Sequence, residues 1–155
     1  MEFKRGLESM QKELLEDIRI NRKHYAEKIL KSIKDDIYEY ERYKVNFSLA
    51  IGATGTEVDI EGFAALIRET DKFIILSDHL CCMVFPFTDA AEGVKAASNL
   101  LSTFEIQFFS AKIYIAVVNA QECSSPGGQV ERLFDILKYS IENAMENIPL
   151  DNTSF

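Results

Sequence analysis

Two side chains of opposite charge, Arg68 and Asp71, stand just before a pair of apolar segments that could frame a binding site. The first apolar segment covers residues 73–76, and a short polar stretch separates it from the second, which is the pattern of a hairpin between buried strands. Arg68 and Arg132 are the only arginines of residues 45–155, so an anion bound there has few cations to contact. At this spacing on a helix, Arg68 and Asp71 would also suit a simple surface ion pair, worth about 0.2–0.5 kcal/mol.

The composition describes an acidic protein with enough apolar residues for a core. The chain has 155 residues, of which 47% are hydrophobic and 27% charged, and its net charge is −8. The acidic excess lies in residues 45–155, so we expect no general binding of nucleic acid. No stretch is long and apolar enough for a membrane span, and the N-terminus lacks the apolar centre of a signal peptide. The sequence therefore predicts a cytoplasmic protein.

The three cysteines, Cys81, Cys82 and Cys123, predict neither disulfides nor a metal site. Their number is odd and two are adjacent, which disfavours a disulfide framework. His79 and Cys81 could form half of a metal site, but no second pair of ligands stands at a suitable spacing. The chain has only two histidines, His24 and His79, and no Ser/His/Asp set for nucleophilic catalysis. We expect no metal, no cofactor and no catalytic residue.

Residues 1–44 predict one long amphipathic helix that precedes a domain of residues 45–155. The mean spacing of the apolar residues is helical, nearer to an 11-residue repeat than to a heptad. At 1.5 Å per residue such a helix would be roughly 60 Å long, so we expect part of it to project and to pair with a second copy. The alternative is that the stripe packs on its own domain. The stripe consists of Leu7, Met10, Leu14, Ile18, Tyr25, Ile29, Ile33, Ile37 and Tyr40.

The remaining patterns predict an α+β fold, a ferredoxin-like or palm-like, mostly antiparallel sheet with helices packed on one face. The tail after residue 148 is expected to fray or to add an edge to the sheet. In chain order we predict a strand at residues 45–51, a helix within 57–70, the hairpin, a helix capped by Thr88 or Asp89, a strand at 109–118 and a helix within 129–148.

The segment from Arg68 to Asp89 resembles the centre of GGDEF domains, the diguanylate cyclase family. In that family an Arg-x-x-Asp pair precedes a strand, and the Gly-Gly-Asp-Glu-Phe signature follows at a hairpin turn. An apolar strand then ends in proline before a polar segment and a helix. Here residues 77–81 occupy the signature position, and Pro86 ends the second apolar segment. A looser resemblance covers residues 45–147, and it implies the fold of these domains.

The departures from the family pattern fall on its chemistry. A diguanylate cyclase joins two GTP molecules with divalent metals, which need hard carboxylate ligands. The first strand ends here at residues 52–54 without an acid, and the signature acid is replaced by His79 or Leu80. Asp78 stands where the family has a glycine, and the lysine near the end of the last helix is matched by Met145 or a near neighbour. We therefore expect a degenerate, non-catalytic domain.

In the family, the Arg-x-x-Asp pair is an allosteric site that binds cyclic di-GMP. The resemblance implies the same site at Arg68 and Asp71, with Arg132, Lys72 or a partner subunit supplying a second cation. The predicted function is a bacterial signalling or assembly module, homodimeric through its N-terminal helix and a receptor for cyclic di-GMP. A ligand-free module that binds an unidentified protein partner is the alternative, and a residual nucleotide cyclase is the third hypothesis.

Overall fold

The computed structural model describes residues 8–55, 58–109 and 111–154. Leu7, the first residue of the predicted apolar stripe, lies outside the described residues. The helices are α1 (Ser9–Ser32), α2 (Lys34–Tyr43), α3 (Ala90–Gln107) and α4 (Pro126–Glu142), and the strands are β1 (Phe47–Thr54), β2 (Lys72–Ile75), β3 (Leu80–Pro86), β4 (Ile113–Asn119) and β5 (Pro149–Leu150). Short 3₁₀ helices cover Gly62–Leu66 and Ala120–Glu122.

The strands form one five-stranded sheet in the order β2-β3-β1-β4-β5. All neighbours are antiparallel except β4 and β5, which are parallel. β1 lies in the centre, where Ile51 is opposite Cys82 on one side and Ala116 on the other. Every residue of β1 is buried, which explains its nearly unbroken apolar sequence. The predicted hairpin is confirmed as β2 and β3, with Phe73 opposite Met83.

Helices cover both faces of this sheet, so the expectation that they lie on one face was wrong. Leu49 and Ile51 of β1 pack in one core with α1 and α4. Ala50 packs in a second core with α3, since neighbouring residues of a strand point to opposite faces. Gly93 lets α3 approach β1 closely, because a Cβ atom there would lie 2.3 Å from Ser48 Oγ. The α+β prediction of a mostly antiparallel sheet is confirmed.

The N-terminal helix is confirmed, but it is interrupted at Ile33 and divides into α1 and α2. The apolar stripe of α1 is buried against α4, where Leu14 and Ile18 share a core with Leu137. Gln11, also buried, donates from Nε2 to the carbonyl oxygen of Ile141 at 2.7 Å. The stripe therefore packs on its own chain, which was the alternative interpretation, and it no longer argues for a second copy. In the described part of the chain, no helix is long and apolar enough to cross a membrane.

Two segments differ from their predicted structure. The helix predicted within residues 57–70 is only the 3₁₀ helix Gly62–Leu66. Its apolar residues anchor the segment instead, and Phe63 packs with its ring centroid 5.4 Å from that of Phe104. α3 begins at the predicted cap, Asp89, but continues to Gln107, so the strand predicted from residue 109 begins at Ile113.

The end of the chain adds an edge strand, which was one of the two outcomes expected for the tail. α4 ends at Glu142, before the predicted limit of the helix. Ala144 and Asn147 then have positive φ angles of 52° and 61°, which a helix does not permit. Asn147 N–H donates to the carbonyl oxygen of Ile113 at 2.7 Å, and this contact directs Pro149–Leu150 alongside β4.

Candidate functional site

Arg68 and Asp71 lie in a turn before β2, rather than on a helix. The Asp71 N–H donates to the Arg68 carbonyl oxygen at 3.0 Å, and the Arg68 N–H donates to Asp71 Oδ2 at 3.0 Å. The guanidinium contacts both carboxylate oxygens, with Nη2 2.8 Å from Oδ1 and Nε 3.0 Å from Oδ2. The pair is therefore a two-pronged ion pair that also closes the turn.

The two partners differ in their exposure to solvent. The Arg68 side chain is 55% exposed, whereas that of Asp71 is 2% exposed. The hydrogen bond to Asp71 raises the pKa of the Arg68 guanidinium above its ordinary value. Arg68 also lies over the Phe85 ring, 5.9 Å from its centroid, a cation–π contact. Asp71 thus holds the arginine in place, and Arg68 presents the open surface of the pair.

A depression of about 160 Å³ lies between this turn and α3. Asn99 and Thr103 add polar groups from α3, and Leu100 and Phe85 are among the apolar residues of its wall. Pockets that enclose a whole small ligand are usually about 300–1,000 Å³. The depression could therefore receive the edge of one base or one phosphate. The sequence did not indicate Asn99 and Thr103 as site residues, because only the packing of α3 places them beside Arg68.

Neither cation proposed to assist Arg68 lies beside it in the structure. Arg132 is on α4, which packs on the other face of the sheet, and its Nε donates to Asn152 Oδ1. Lys72 Nζ lies 2.7 Å from Asp36 Oδ2 on α2. The prediction that Arg132 joins Arg68 and Asp71 in one site is therefore wrong within a single chain, since the sheet separates them.

The end of β1 and the hairpin turn meet in a second corner. Thr54 N–H donates to the carbonyl oxygen of His79 at 2.9 Å, and His79 N–H donates to Ser77 Oγ at 3.1 Å. In the described part of the chain, Thr54 Oγ1 and His79 Nδ1 are buried without a hydrogen-bond partner. The family resemblance places metal-binding acids at the end of the first strand, here residues 52–54, and at His79 or Leu80. In the structure, Thr54 and His79 meet at this corner, and neither is an acid.

A cavity of about 340 Å³ lies where the start of α1 crosses this corner. Glu13 and Asp17 of α1 line it, together with Thr54, Gly55 and His79. Glu13 and Asp17 were not predicted as site residues, because part of the N-terminal helix was expected to project from the domain. Their spacing of four residues, which places them on one face of a helix, was the available signal. Among the described residues, no group of three or more His, Cys, Asp or Glu side chains could hold a metal ion.

The paired cysteines of β3 are part of the two cores. Cys81 packs on the α3 side and Cys82 on the side of α1 and α4. Burial raises the pKa of the Cys81 thiol to about 12, and burial also raises the pKa of Cys82. Both therefore remain neutral thiols in the cores, where cysteine behaves as a small apolar side chain.

Comparison with known proteins by sequence alone finds no relative. No protein-family profile matches the chain, and no curated protein matches it. Comparison by structure does find similar proteins.

Several solved structures share this fold at low sequence identity. A truncated YfiN (also TpbB) from Pseudomonas aeruginosa, comprising only the GGDEF domain, has a TM-score of 0.64 and 11% identity, over 86% of this chain and 90% of that one. The GGDEF domain of DgcB from Caulobacter crescentus, in complex with c-di-GMP, has a TM-score of 0.61 and 12% identity, over 78% and 88%.

A third structure is the diguanylate cyclase SiaD from Pseudomonas aeruginosa, in complex with its activator SiaC. It has a TM-score of 0.64 and 10% identity, and the match covers 79% of this chain but 56% of that one. At these identities the likeness establishes the fold. The chain has the fold of GGDEF domains, as the resemblance of residues 68–89 predicted.

Proposed function

We propose that this chain is a non-catalytic signalling module with a GGDEF fold that binds cyclic di-GMP through Arg68. The observation that carries the proposal is the half-exposed guanidinium of Arg68, held in place by the buried Asp71 beside a polar depression. A guanidinium fixed in this way loses less conformational freedom when it binds a ligand. Its planar group suits the N7 and O6 acceptors of guanine as well as a phosphate.

The two residues of the pair have different roles in this proposal. Asp71 is nearly inaccessible and already accepts hydrogen bonds from Arg68. In this proposal it orients Arg68 and does not contact the ligand. The hydrogen bonds to Asp71 use Nε and Nη2 of Arg68, so Nη1 and the outer face of the guanidinium are the groups that meet the nucleotide.

The complex of the DgcB GGDEF domain with c-di-GMP supports a ligand of this class for the fold. The depression adds a second argument, since Asn99 can donate and accept hydrogen bonds beside Arg68. Its limited volume is consistent with a ligand that inserts one base edge and leaves the rest on the surface.

The corner of Thr54 and His79 supports the proposal that the chain does not catalyse. Glu13 and Asp17 face this corner across the cavity, and none of the described residues that line it is a lysine or an arginine. In the described part of the chain, a nucleoside triphosphate would meet two carboxylates there and neither a lysine nor an arginine, which is unfavourable for a polyanion. The purified chain should release no pyrophosphate from GTP with Mg²⁺ or Mn²⁺. Release above the rate of a buffer blank would overturn this part of the proposal.

A ligand-free interaction module is the second candidate, and the closed ion pair favours it. Arg68 and Asp71 satisfy each other, so the turn is complete without a ligand. For self-association we propose α2, because none of its residues is buried and it exposes Tyr38 and Tyr43. Changing both tyrosines to serine should reduce the mass measured by light scattering from dimer to monomer. A wild-type chain that is monomeric at about 0.1 mM, a concentration roughly 100-fold above a dissociation constant of 1 μM, would contradict self-association.

Calorimetric titration with cyclic di-GMP tests the receptor proposal. We expect a dissociation constant in the micromolar range, and Arg68→Ala should weaken binding by about 10- to 100-fold, as expected for charge-assisted hydrogen bonds. Arg19→Ala is the matched control, because Arg19 also pairs with an acid three residues away, Glu16, but lies on α1. Equal affinities of the wild type and Arg68→Ala, or no binding at all, would refute the proposal.

A further inference from the structure

The cavity between α1 and the corner of Thr54 and His79 has the chemistry of a cation site. Two carboxylates, Glu13 and Asp17, stand on its α1 wall, and Met10 and Leu14 place apolar surface between and beside them. Among the described residues that line it, His79 is the only one with a basic side chain. The cavity, of about 340 Å³, lies in a chain of net charge −8, which favours the approach of a cation.

Asp17 is already fixed in position for such a ligand. The Tyr25 hydroxyl donates to Asp17 Oδ1 and Oδ2 at 2.8 and 3.1 Å, and Asn21 Nδ2 donates to Oδ1 at 2.7 Å. Burial, together with the contact to Asp17, raises the pKa of Tyr25 to about 12, so the phenol stays protonated and continues to donate. A carboxylate has about four acceptor positions, and a further donor can therefore bind.

A second observation, independent of the carboxylates, also points to a ligand at this place. Thr54 is completely buried, and its Oγ1 has no hydrogen-bond partner in the described part of the chain. In the described part of the chain, His79 Nδ1 is also buried without a hydrogen-bond partner. Both residues belong to the cavity wall. Buried polar groups in native proteins nearly always have a partner, and a ligand with N–H donors would supply one.

The donor set distinguishes an organic cation from a metal ion. Ca²⁺ takes about 6–8 oxygen ligands, and Mg²⁺ usually binds to one or two carboxylates together with substrate phosphates. Among the described residues, no group of three or more His, Cys, Asp or Glu side chains could hold a metal ion. An ammonium group instead offers three N–H donors. Residues four apart on a helix have Cβ atoms about 5–6 Å apart, so Glu13 and Asp17 can each bind one end of a short diamine, with its methylenes on Met10 and Leu14.

We propose that this cavity binds a short aliphatic diamine, with one ammonium on Asp17 and the other on Glu13. The proposal is independent of cyclic di-GMP binding, because Arg68 lies beside α3, on the opposite face of the sheet from α1. Either site can therefore fail in an experiment without affecting the other.

Calorimetric titration of the full chain with putrescine tests this site. At 0.15 M NaCl, where the screening length is about 8 Å, we expect binding with a submillimolar dissociation constant. Butylamine, which has one ammonium, should bind at least ten times more weakly, and butanediol, which has none, should not bind. Absence of putrescine binding at 10 mM, at least about tenfold above that constant, would overturn the proposal. Equal affinities for butylamine and putrescine would overturn it as well.

A pair of variants separates the site from general attraction to an acidic protein. Glu13→Gln should raise the dissociation constant for putrescine about tenfold, a factor equal to about 1.4 kcal/mol. Glu27→Gln removes the same charge from an exposed position of α1 outside the cavity, and it should leave the constant unchanged. Equal weakening by both variants would mean that only net charge matters, and this would refute the site. Circular dichroism of both variants verifies that they are folded.

Discussion

Replacing the Asp71 carboxylate, by Asp71→Asn, tests whether this buried side chain holds Arg68 in place. The carboxylate accepts from the Arg68 N–H at 3.0 Å and from Nη2 at 2.8 Å. Hydrogen bonds to charged groups contribute about 1.5–3 kcal/mol each, but Arg68 is 55% exposed and solvent screening reduces that value. We therefore expect the free energy of unfolding to fall by about 1–2 kcal/mol, and the melting temperature by about 2–8 °C.

A double-mutant cycle separates the pair from other effects of the substitution. Urea unfolding of Asp71→Asn, Arg68→Ala and the double variant should give a coupling energy of about 1 kcal/mol. Glu16 and Arg19 are the control pair, since they have the same spacing and a 2.6 Å contact, but side-chain exposures of 58% and 69%. The coupling energy of Glu16 and Arg19 should be clearly smaller than that of Arg68 and Asp71. Equal coupling in the two pairs would refute the claim that burial of Asp71 makes the first pair an anchor.

Three further predictions concern the core, the unpartnered hydroxyl and alkaline pH, and urea unfolding measures each. Gly93→Ala should lower the free energy of unfolding by about 1–3 kcal/mol, because the added Cβ would lie 2.3 Å from Ser48 Oγ. Gly127→Ala is the control and should not lower it, because a Cβ at Gly127 would meet no atom within 4 Å. Thr54→Val should be neutral or stabilising by up to about 1 kcal/mol, since it removes a buried hydroxyl without a partner, and a large loss would contradict this. Stability should fall as the pH rises from about 10 to 12. The folded chain raises the pKa of Tyr25 from its ordinary 10.0 to about 12. Between these values Tyr25 is therefore ionised in the unfolded chain but still protonated in the folded chain, which favours unfolding. Tyr25→Phe should weaken this dependence, and an unchanged slope would contradict it.

Local patterns predicted the elements that depend on neighbouring residues. The hairpin of β2 and β3 followed from two apolar segments around a short polar stretch, and it is confirmed in the structure. The cap at Asp89 is confirmed because its carboxylate accepts from the Glu92 N–H at 2.8 Å, a contact that needs only local sequence. The helical stripe of α1 is confirmed for the same reason.

The surface that covers an element was not predictable from its own sequence. The stripe of α1 has the same residues whether it packs on α4 or on a second copy, and only the tertiary structure shows that Leu14 meets Leu137. Arg132 was assigned to the site of Arg68 because the domain has no other arginine, but the sheet lies between them. The carboxylates of Glu13 and Asp17 lie near the hairpin turn, because α1 folds back over the chain.

The binding of cyclic di-GMP at Arg68 is the central claim, and a crystal structure of the chain grown with that nucleotide tests it most directly. The account predicts a guanine edge or a phosphate within hydrogen-bonding distance of the Arg68 guanidinium, with Asp71 still paired to Nε and Nη2. A nucleotide bound elsewhere on the chain, or an Arg68 surface without ligand at saturating nucleotide, would contradict it.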